Sequence, residues 1–229
     1  MEKGQISGID PDQYTSGAHL VAGIWNRPER PSGHTLILAH GAGAPMDSDF
    51  MNGIAGRLAN LGVAVFRFEF PYMRERRETG RRRPPNPAPQ LLQAWREAHA
   101  FVRQQTAGQL AIGGKSMGGR MASMLADELD CAALVCLGYP FHAAGRKDKP
   151  RVEHLAGLRT PALIVQGERD ALGDRATVAT YALSPAIATL WLESADHDLK
   201  PLRRSGFTHE LHLDRAAREI AGFLCGLPA

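Results

Sequence analysis

The sequence predicts an α/β fold built on a doubly wound, mainly parallel sheet, and three observations predict it. Short apolar, β-branched runs recur along the chain, helical patterns with one apolar stripe fall between them, and glycine or polar breaks separate the two. Strands that alternate with helices in this way pair in parallel through crossover connections. With 229 residues, 44% of them hydrophobic and 22% charged, the chain has enough apolar surface to bury one full core. No repeat period and no interdomain linker interrupts it, so residues 1–229 are expected to form a single domain.

The strand candidates are "GAHLVAGIW" (17–25), "HTLILAHG" (34–41), "GVAVFRFEF" (62–70), "QLAIGG" (109–114), "CAALVCLG" (131–138), "PALIVQG" (161–167) and "ATLWLES" (188–194). Most are continuously apolar rather than alternating, as strands buried on both faces are. The first helical pattern covers residues 48–62, with Asp47 or Ser48 at its N-cap and Gly62 near its stop. The second, over 89–105, puts Leu91, Leu92, Trp95, Ala98 and Val102 on one face. A third, over 117–129, spaces Met117, Met121, Met124 and Leu125 at helical intervals, and a last one, over 209–224, aligns Leu213, Ala217, Ile220 and Leu224. The segment "YMRERRETGRRRPPNPAP" (72–89) reads as a solvated loop stiffened by Pro84, Pro85, Pro87 and Pro89.

Several function classes are disfavoured at once. The opening "MEKGQISGIDPDQY" has no apolar core of a leader, and no later apolar run approaches membrane-spanning length, so a cytoplasmic location is expected. Cys131, Cys136 and Cys225 lack metal-ligand or redox spacing and read as buried small apolar side chains. No metal or organic cofactor is implied, and a net charge of +3 names no partner.

The chemistry concentrates in "LAIGGKSMGGRMASML" (110–125), where Gly114-Lys115-Ser116-Met117-Gly118 fits the G-x-S-x-G pattern of a nucleophile elbow. In a chain with 24 glycines those five letters are a weak signal alone. Context strengthens it, because a buried run precedes Ser116 and a helical pattern follows, and Gly114 and Gly118 leave room for a tight turn. A helix starting just after Ser116 also turns N–H groups toward a negative charge developing there.

In an open α/β sheet, sites form outside the carboxyl ends of the strands. A nucleophilic Ser116 then requires an acid and a histidine after later strands, in that order. Asp170 follows "PALIVQGERD" and His197 follows "ATLWLESADH". Glu168 and Asp174 compete with Asp170, whereas Asp196 and Asp198 lie too near His197 in the chain to reach its ring. His142 follows a strand but precedes every candidate acid. His19, His34, His99, His154, His209 and His212 fall in apparent strands or helices and read as surface or packing residues. Two backbone donors complete an acyl-transfer site, the N–H of Met117 and that of Ala42, which lies in "HGAG" (40–43) directly after a strand. His40 is expected to shape that loop.

On "HGAG", "GGKSMGGR", "GERD" and "ADHDL" the chain resembles the α/β-hydrolase superfamily over nearly its whole length. It is similar to the dienelactone-hydrolase-like branch. "RFEFPYM" with "GGKSMGGRMAS" most resembles a group containing testis-expressed hydrolase-like proteins and a scaffold subunit of a histone acetyltransferase complex. The resemblance implies a serine hydrolase acting on a small ester or thioester. Its scaffold member implies an alternative, a non-catalytic interaction module. Dienelactone hydrolases carry cysteine where Ser116 stands, so their substrate does not transfer.

Two features bear on substrate. In residues 72–89 six arginines face two glutamates, +4 against +3 for the whole chain. A loop after the strand at 62–70 leaves the sheet on the catalytic side, so Arg81, Arg82 and Arg83 are candidates for attracting an anionic ester. Arg120, one turn after Ser116, is a second candidate or an ordinary helix-surface residue. Nucleic acid is not expected, since no aromatic residues interleave the arginines. Only residues 138–160 separate "ALVCLG" from the next strand, too few for a lid domain.

Overall fold

A computed structural model describes residues 13–16 and 19–227. The opening stretch read above for a leader lies mostly outside the described residues, as do residues 17 and 18 of the first strand candidate. Among these residues eight strands form one sheet: β1 (Gln13–Ser16), β2 (His19–Asn26), β3 (His34–Ala39), β4 (Ala64–Phe68), β5 (Gln109–Lys115), β6 (Ala133–Leu137), β7 (Ala162–Gly167) and β8 (Ile187–Leu192). Their order is β1-β2-β4-β3-β5-β6-β7-β8. β1 and β2 run antiparallel to their neighbours, and every pair from β4 to β8 is parallel. The short edge strand β1 has no counterpart among the sequence expectations.

Among the described residues six α-helices accompany the sheet: α1 (Asp49–Asn60), α2 (Pro71–Thr79), α3 (Ala88–Arg103), α4 (Met117–Ser123), α5 (Arg175–Val178) and α6 (His209–Cys225). The period-2 geometry of a strand sends alternate side chains to opposite faces. Ile37 and Ala39 of β3 join Trp95, Phe101 and Met121 of α3 and α4 in one core, while Leu36 and Leu38 join Met51, Ile54 and Ile220 of α1 and α6 in the other. Strands β5, β6 and β7 are buried on both faces, which is why they read as unbroken apolar runs. No described helix is long and apolar enough to cross a membrane.

Three elements differ from expectation. Residues 71–79 are not a loop but helix α2, started by Pro71 at its first position and stopped by Gly80 in the left-handed conformation at φ 70°. The polyproline stretch then returns to it, because Asn86 Oδ1 accepts the Tyr72 N–H at 2.8 Å. Helix α4 ends at Ser123 rather than near residue 129: Ser123 Oγ turns back on the Arg120 carbonyl at 2.8 Å, and the next amides bond three residues back, Met124 to Met121 and Leu125 to Ala122. The short α5 was unexpected; Asp174 caps it, accepting the Thr177 N–H at 2.8 Å.

Candidate active site

Strand β5 turns into α4 at Ser116, whose φ of 51° and ψ of −116° lie where side chains rarely go. Holding a serine there costs about 1–3 kcal/mol, so the surroundings must enforce it. They do so by close approach. A Cβ on Gly114 would stand 2.6 Å from the Ala39 carbonyl oxygen, and one on Gly118 2.5 Å from the same atom. The Ser116 N–H donates to the Leu137 carbonyl of β6 at 2.9 Å, and the Arg120 N–H returns to the Ser116 carbonyl at 3.0 Å.

The loop after β8 brings His197 to this serine. Its Nε2 lies 2.8 Å from Ser116 Oγ, and its Nδ1 lies 2.7 Å from Asp170 Oδ2. Asp170 follows β7 and is fully buried. Its Oδ1 accepts the Leu172 N–H at 2.8 Å, and its Oδ2 also accepts from Gln166 Nε2 at 2.8 Å. Every group meeting this carboxylate is a donor, so the network places the imidazole proton on Nδ1 and leaves Nε2 to accept from the serine hydroxyl.

The rival residues are engaged elsewhere. Glu168 pairs with Arg175 at 3.0 Å and accepts the Ser194 N–H. Asp174 pairs with Lys147 and caps α5, and those bonds hold its carboxyl down at about 2. Asp196 Oδ1 accepts the amides of Asp198 and Lys200 and so shapes the histidine loop. His142 donates from Nδ1 to the Ala143 carbonyl. His154 meets Ser123 and Tyr139, and His212 the Leu199 carbonyl, as packing residues would.

Two polar residues at this site escaped the sequence reading. Gln166 is fully buried in β7 and holds Asp170; its Oε1 accepts the Tyr139 N–H at 2.7 Å. Lys115 ends β5, with Nζ 2.8 Å from the His197 carbonyl and 3.2 Å from Asp198 Oδ1. A glutamine inside "PALIVQG" and a lysine at the end of "LAIGGK" are polar side chains in apolar strands, and a buried polar group requires partners.

The loop after β3 borders the serine: a Cβ on Gly41 would stand 3.6 Å from Ser116 Cβ. His40 is buried and shapes this loop, donating from Nδ1 to the Gly41 carbonyl at 2.7 Å and accepting the Phe70 N–H on Nε2 at 3.1 Å. Burial pushes its pKa down, in keeping with an acceptor nitrogen. Tyr72 of α2 donates to the carbonyls of Ala42 and Gly41 at 3.0 and 3.3 Å. In a trans peptide the N–H points opposite the carbonyl. With the Gly41 carbonyl held by His40 and Tyr72, the Ala42 N–H faces the other way. Neither it nor the Met117 N–H donates to another group among the described residues.

The arginine segment divides. Arg77 bridges Asp47 at 2.8 Å and the buried Glu69 at 2.6 Å, clasping α2 to the segment between β3 and α1. Arg81, Arg82 and Arg83 are exposed, and Arg83 pairs with Glu75 at 2.7 Å. No hydrogen bond among the described residues joins these three to Ser116, His197 or Asp170. Arg120 is different: it is half-buried and its Nε is enclosed without an acceptor. Burial lowers its pKa, Tyr139 acts against that, and Arg151 adds to it.

The model of an alpha/beta hydrolase domain matches residues 32–225. Among solved structures, dienelactone hydrolase from Anabaena variabilis is similar with a TM-score of 0.72 and 18% identity, covering 97% of this chain and 99% of that one. A lid-less α/β serine hydrolase from Xanthomonas campestris gives 0.69 and 19%, covering 97% and 99%. The esterase domain of a Rhodothermus marinus protein gives 0.70 and 16%, covering 96% and 99%. At such identities the likeness is one of fold. With a family match spanning most of the sequence, the chain belongs to the alpha/beta hydrolase domain family.

Proposed function

We propose that the chain is a one-domain serine hydrolase that cleaves a small carboxylic ester or thioester through an acyl-enzyme on Ser116. The observation that carries this reading is the unbroken relay from Ser116 Oγ to His197 to the buried Asp170, with bonds of 2.8 and 2.7 Å. Ser116 Oγ attacks the acyl carbon while His197 Nε2 takes its proton. His197 then returns that proton to the leaving alkoxide or thiolate. A water, deprotonated by the same nitrogen, attacks the acyl-enzyme and releases the acid. Asp170 keeps the imidazole proton on Nδ1 and stabilises the imidazolium. The N–H groups of Met117 and Ala42 hold the oxyanion of each tetrahedral intermediate.

The connection between β6 and β7 contains one short 3₁₀ turn, Glu153–Leu155, and no lid domain, so water reaches the site, which favours hydrolysis over transfer to another acceptor. The proposal extends to an anionic substrate held by Arg120, supported by its place one turn after Ser116, whose carbonyl its N–H meets at 3.0 Å, with the exposed Arg81, Arg82 and Arg83 attracting it from a distance. All three cysteines are free, Cys131 and Cys136 buried as expected and Cys225, at the end of α6, exposed against expectation; free thiols support a cytoplasmic setting. The closer kinship with the testis-expressed and acetyltransferase-scaffold group rests on "RFEFPYM" and "GGKSMGGRMAS".

A fluorophosphonate probe followed by mass spectrometry tests the reading. Covalent label is expected on Ser116, and Ser116→Ala or His197→Ala lowers hydrolysis of p-nitrophenyl butyrate by several orders of magnitude at nearly unchanged thermal stability. A folded wild-type chain left unlabelled favours the non-catalytic interaction module.

A further inference from the structure

The attack chemistry makes no use of Lys115, yet it is one of the most enclosed charged groups in the molecule. Its side chain is 9% exposed, under the ring of Phe50 at 5.6 Å. Its ammonium donates to the carbonyl of His197 at 2.8 Å and pairs with Asp198 at 3.2 Å. From the other side the same carbonyl abuts the end of β6, where a Cβ on Gly138 would stand 2.5 Å from it. The loop is a tense one: Ser194 and Leu199 both adopt positive φ, 55° and 61°, on either side of His197. A backbone bent that way holds its shape only when its surroundings enforce it.

We infer that Lys115 is a positioning residue for His197, a strap from the strand that carries the nucleophile to the backbone of the base. The inference rests on the serine hydrolase reading above. Lys115 and Ser116 are consecutive, so the strand end that places Oγ also ties down the backbone that carries Nε2. Burial lowers the lysine pKa, and Asp198 draws it back up.

The strap has an electrostatic side. When His197 takes the serine proton, the imidazolium forms near an ammonium that opposes it. Asp198 offsets that ammonium. The charged groups facing His197 are Asp170 after β7, Lys115 from β5, and Asp196, Asp198 and Lys200 of its own loop; His209 of α6 meets the Asp198 carbonyl. Removing Lys115 leaves Asp198 to favour the imidazolium, and removing Asp198 leaves Lys115 to oppose it. The two deletions therefore act in opposite senses on the imidazolium that forms during attack.

The test measures kcat per fluorophosphonate-titrated site, KM and the acid limb of the pH profile with p-nitrophenyl butyrate. Lys115→Met is expected to lower kcat about 10- to 100-fold with KM little changed, since a displacement near 1 Å costs that much. Its acid limb moves up, because the ammonium that opposes the imidazolium is gone. Asp198→Asn moves the limb down, and the double variant returns the limb to its wild-type place while kcat stays low. Lys115→Met with unchanged kcat per site and an unmoved limb overturns the inference, whatever its melting temperature. So does a double variant that regains full kcat, which reduces the effect to charge. If Lys115→Met fails to fold, Lys115→Gln decides the matter, since its shorter side chain gives up the reach to the His197 carbonyl while staying polar: unchanged kcat per site overturns the inference. Wild type unlabelled at Ser116 refutes the hydrolase reading itself; labelled wild type beside an unaltered Lys115→Met refutes only the strap.

Discussion

Replacing Asp170 by asparagine gives the sharpest test of the relay. Three donors converge on this carboxylate: His197 Nδ1 at 2.7 Å, Gln166 Nε2 at 2.8 Å and the Leu172 N–H at 2.8 Å. An amide offers one oxygen, and Leu172 is best served if that oxygen stays at the Oδ1 position. The new NH₂ then meets two donors. Imidazole relieves the clash by moving its proton from Nδ1 to Nε2, which turns an N–H toward Ser116 Oγ and removes the base. The loss in kcat/KM for p-nitrophenyl butyrate is expected near 10⁴-fold. That corresponds to about 5–6 kcal/mol of transition-state stabilisation. Stability changes far less. Gln166 Nε2 keeps the carbonyls of Tyr139 at 3.2 Å and Gly173 at 3.1 Å, so one charge-assisted bond is at stake. Its loss costs about 1.5–3 kcal/mol, a fall in Tm of roughly 3–12 °C. Esterase assays and the rate of fluorophosphonate labelling, with Glu168→Gln and Asp174→Asn beside them, decide the matter. Near-wild-type activity in Asp170→Asn, or an equal loss in Asp174→Asn, would refute the reasoning.

Arg77→Met strips the cation from Glu69, whose side chain is 2% exposed, and urea unfolding should show a loss of about 1–3 kcal/mol, discounted because Arg77 itself is half-exposed. Arg120→Gln is expected to raise KM for a carboxylate-bearing ester at any salt concentration, while Arg81, Arg82 and Arg83 changed together to Gln matter only at low salt, screened beyond a Debye length of about 8 Å at physiological ionic strength. Equal effects on a neutral ester would sink both arginine roles. His40 gives an acid dependence: its folded pKa is lowered by burial from 6.5, so below 6.5 the unfolded chain takes up a proton that the folded chain refuses. The stability of neutral His40 is complete above 6.5 and is lost as pH falls through the lowered value. Urea midpoints should drop on acidification, and less so in His40→Asn.

The strands were legible because β5, β6 and β7 are enclosed by helices on both faces, which forces unbroken apolar runs. That Ser116, Asp170 and His197 come together was legible through chain order, since a parallel sheet delivers the ends of its strands to one edge. Helix α2 was hidden because "YMRERRET" buries only Tyr72 and Met73 and is held by Arg77 pairing with Asp47 and Glu69, which no periodicity reveals. The early end of α4 turns on one serine bonding back to Arg120. Gln166 and Lys115 signalled that something polar was near, but their partners, the Tyr139 amide and the His197 carbonyl, are 27 and 82 residues away. Pairings across such distances come from the packed fold alone.

The crowding beneath Ser116 has a consequence for anyone who wishes to redesign this protein. With backbone oxygens standing 2.5 and 2.6 Å from where methyl groups at Gly118 and Gly114 would sit, even the smallest enlargement there would lift the helix from the sheet and carry the serine away from His197. The elbow offers no room for variation, so libraries that sample it spend their diversity on misfolded or misaligned chains. Variation is better placed along residues 80–85 and 144–151, where the side chains face solvent and a change in bulk leaves the distances at Ser116 untouched.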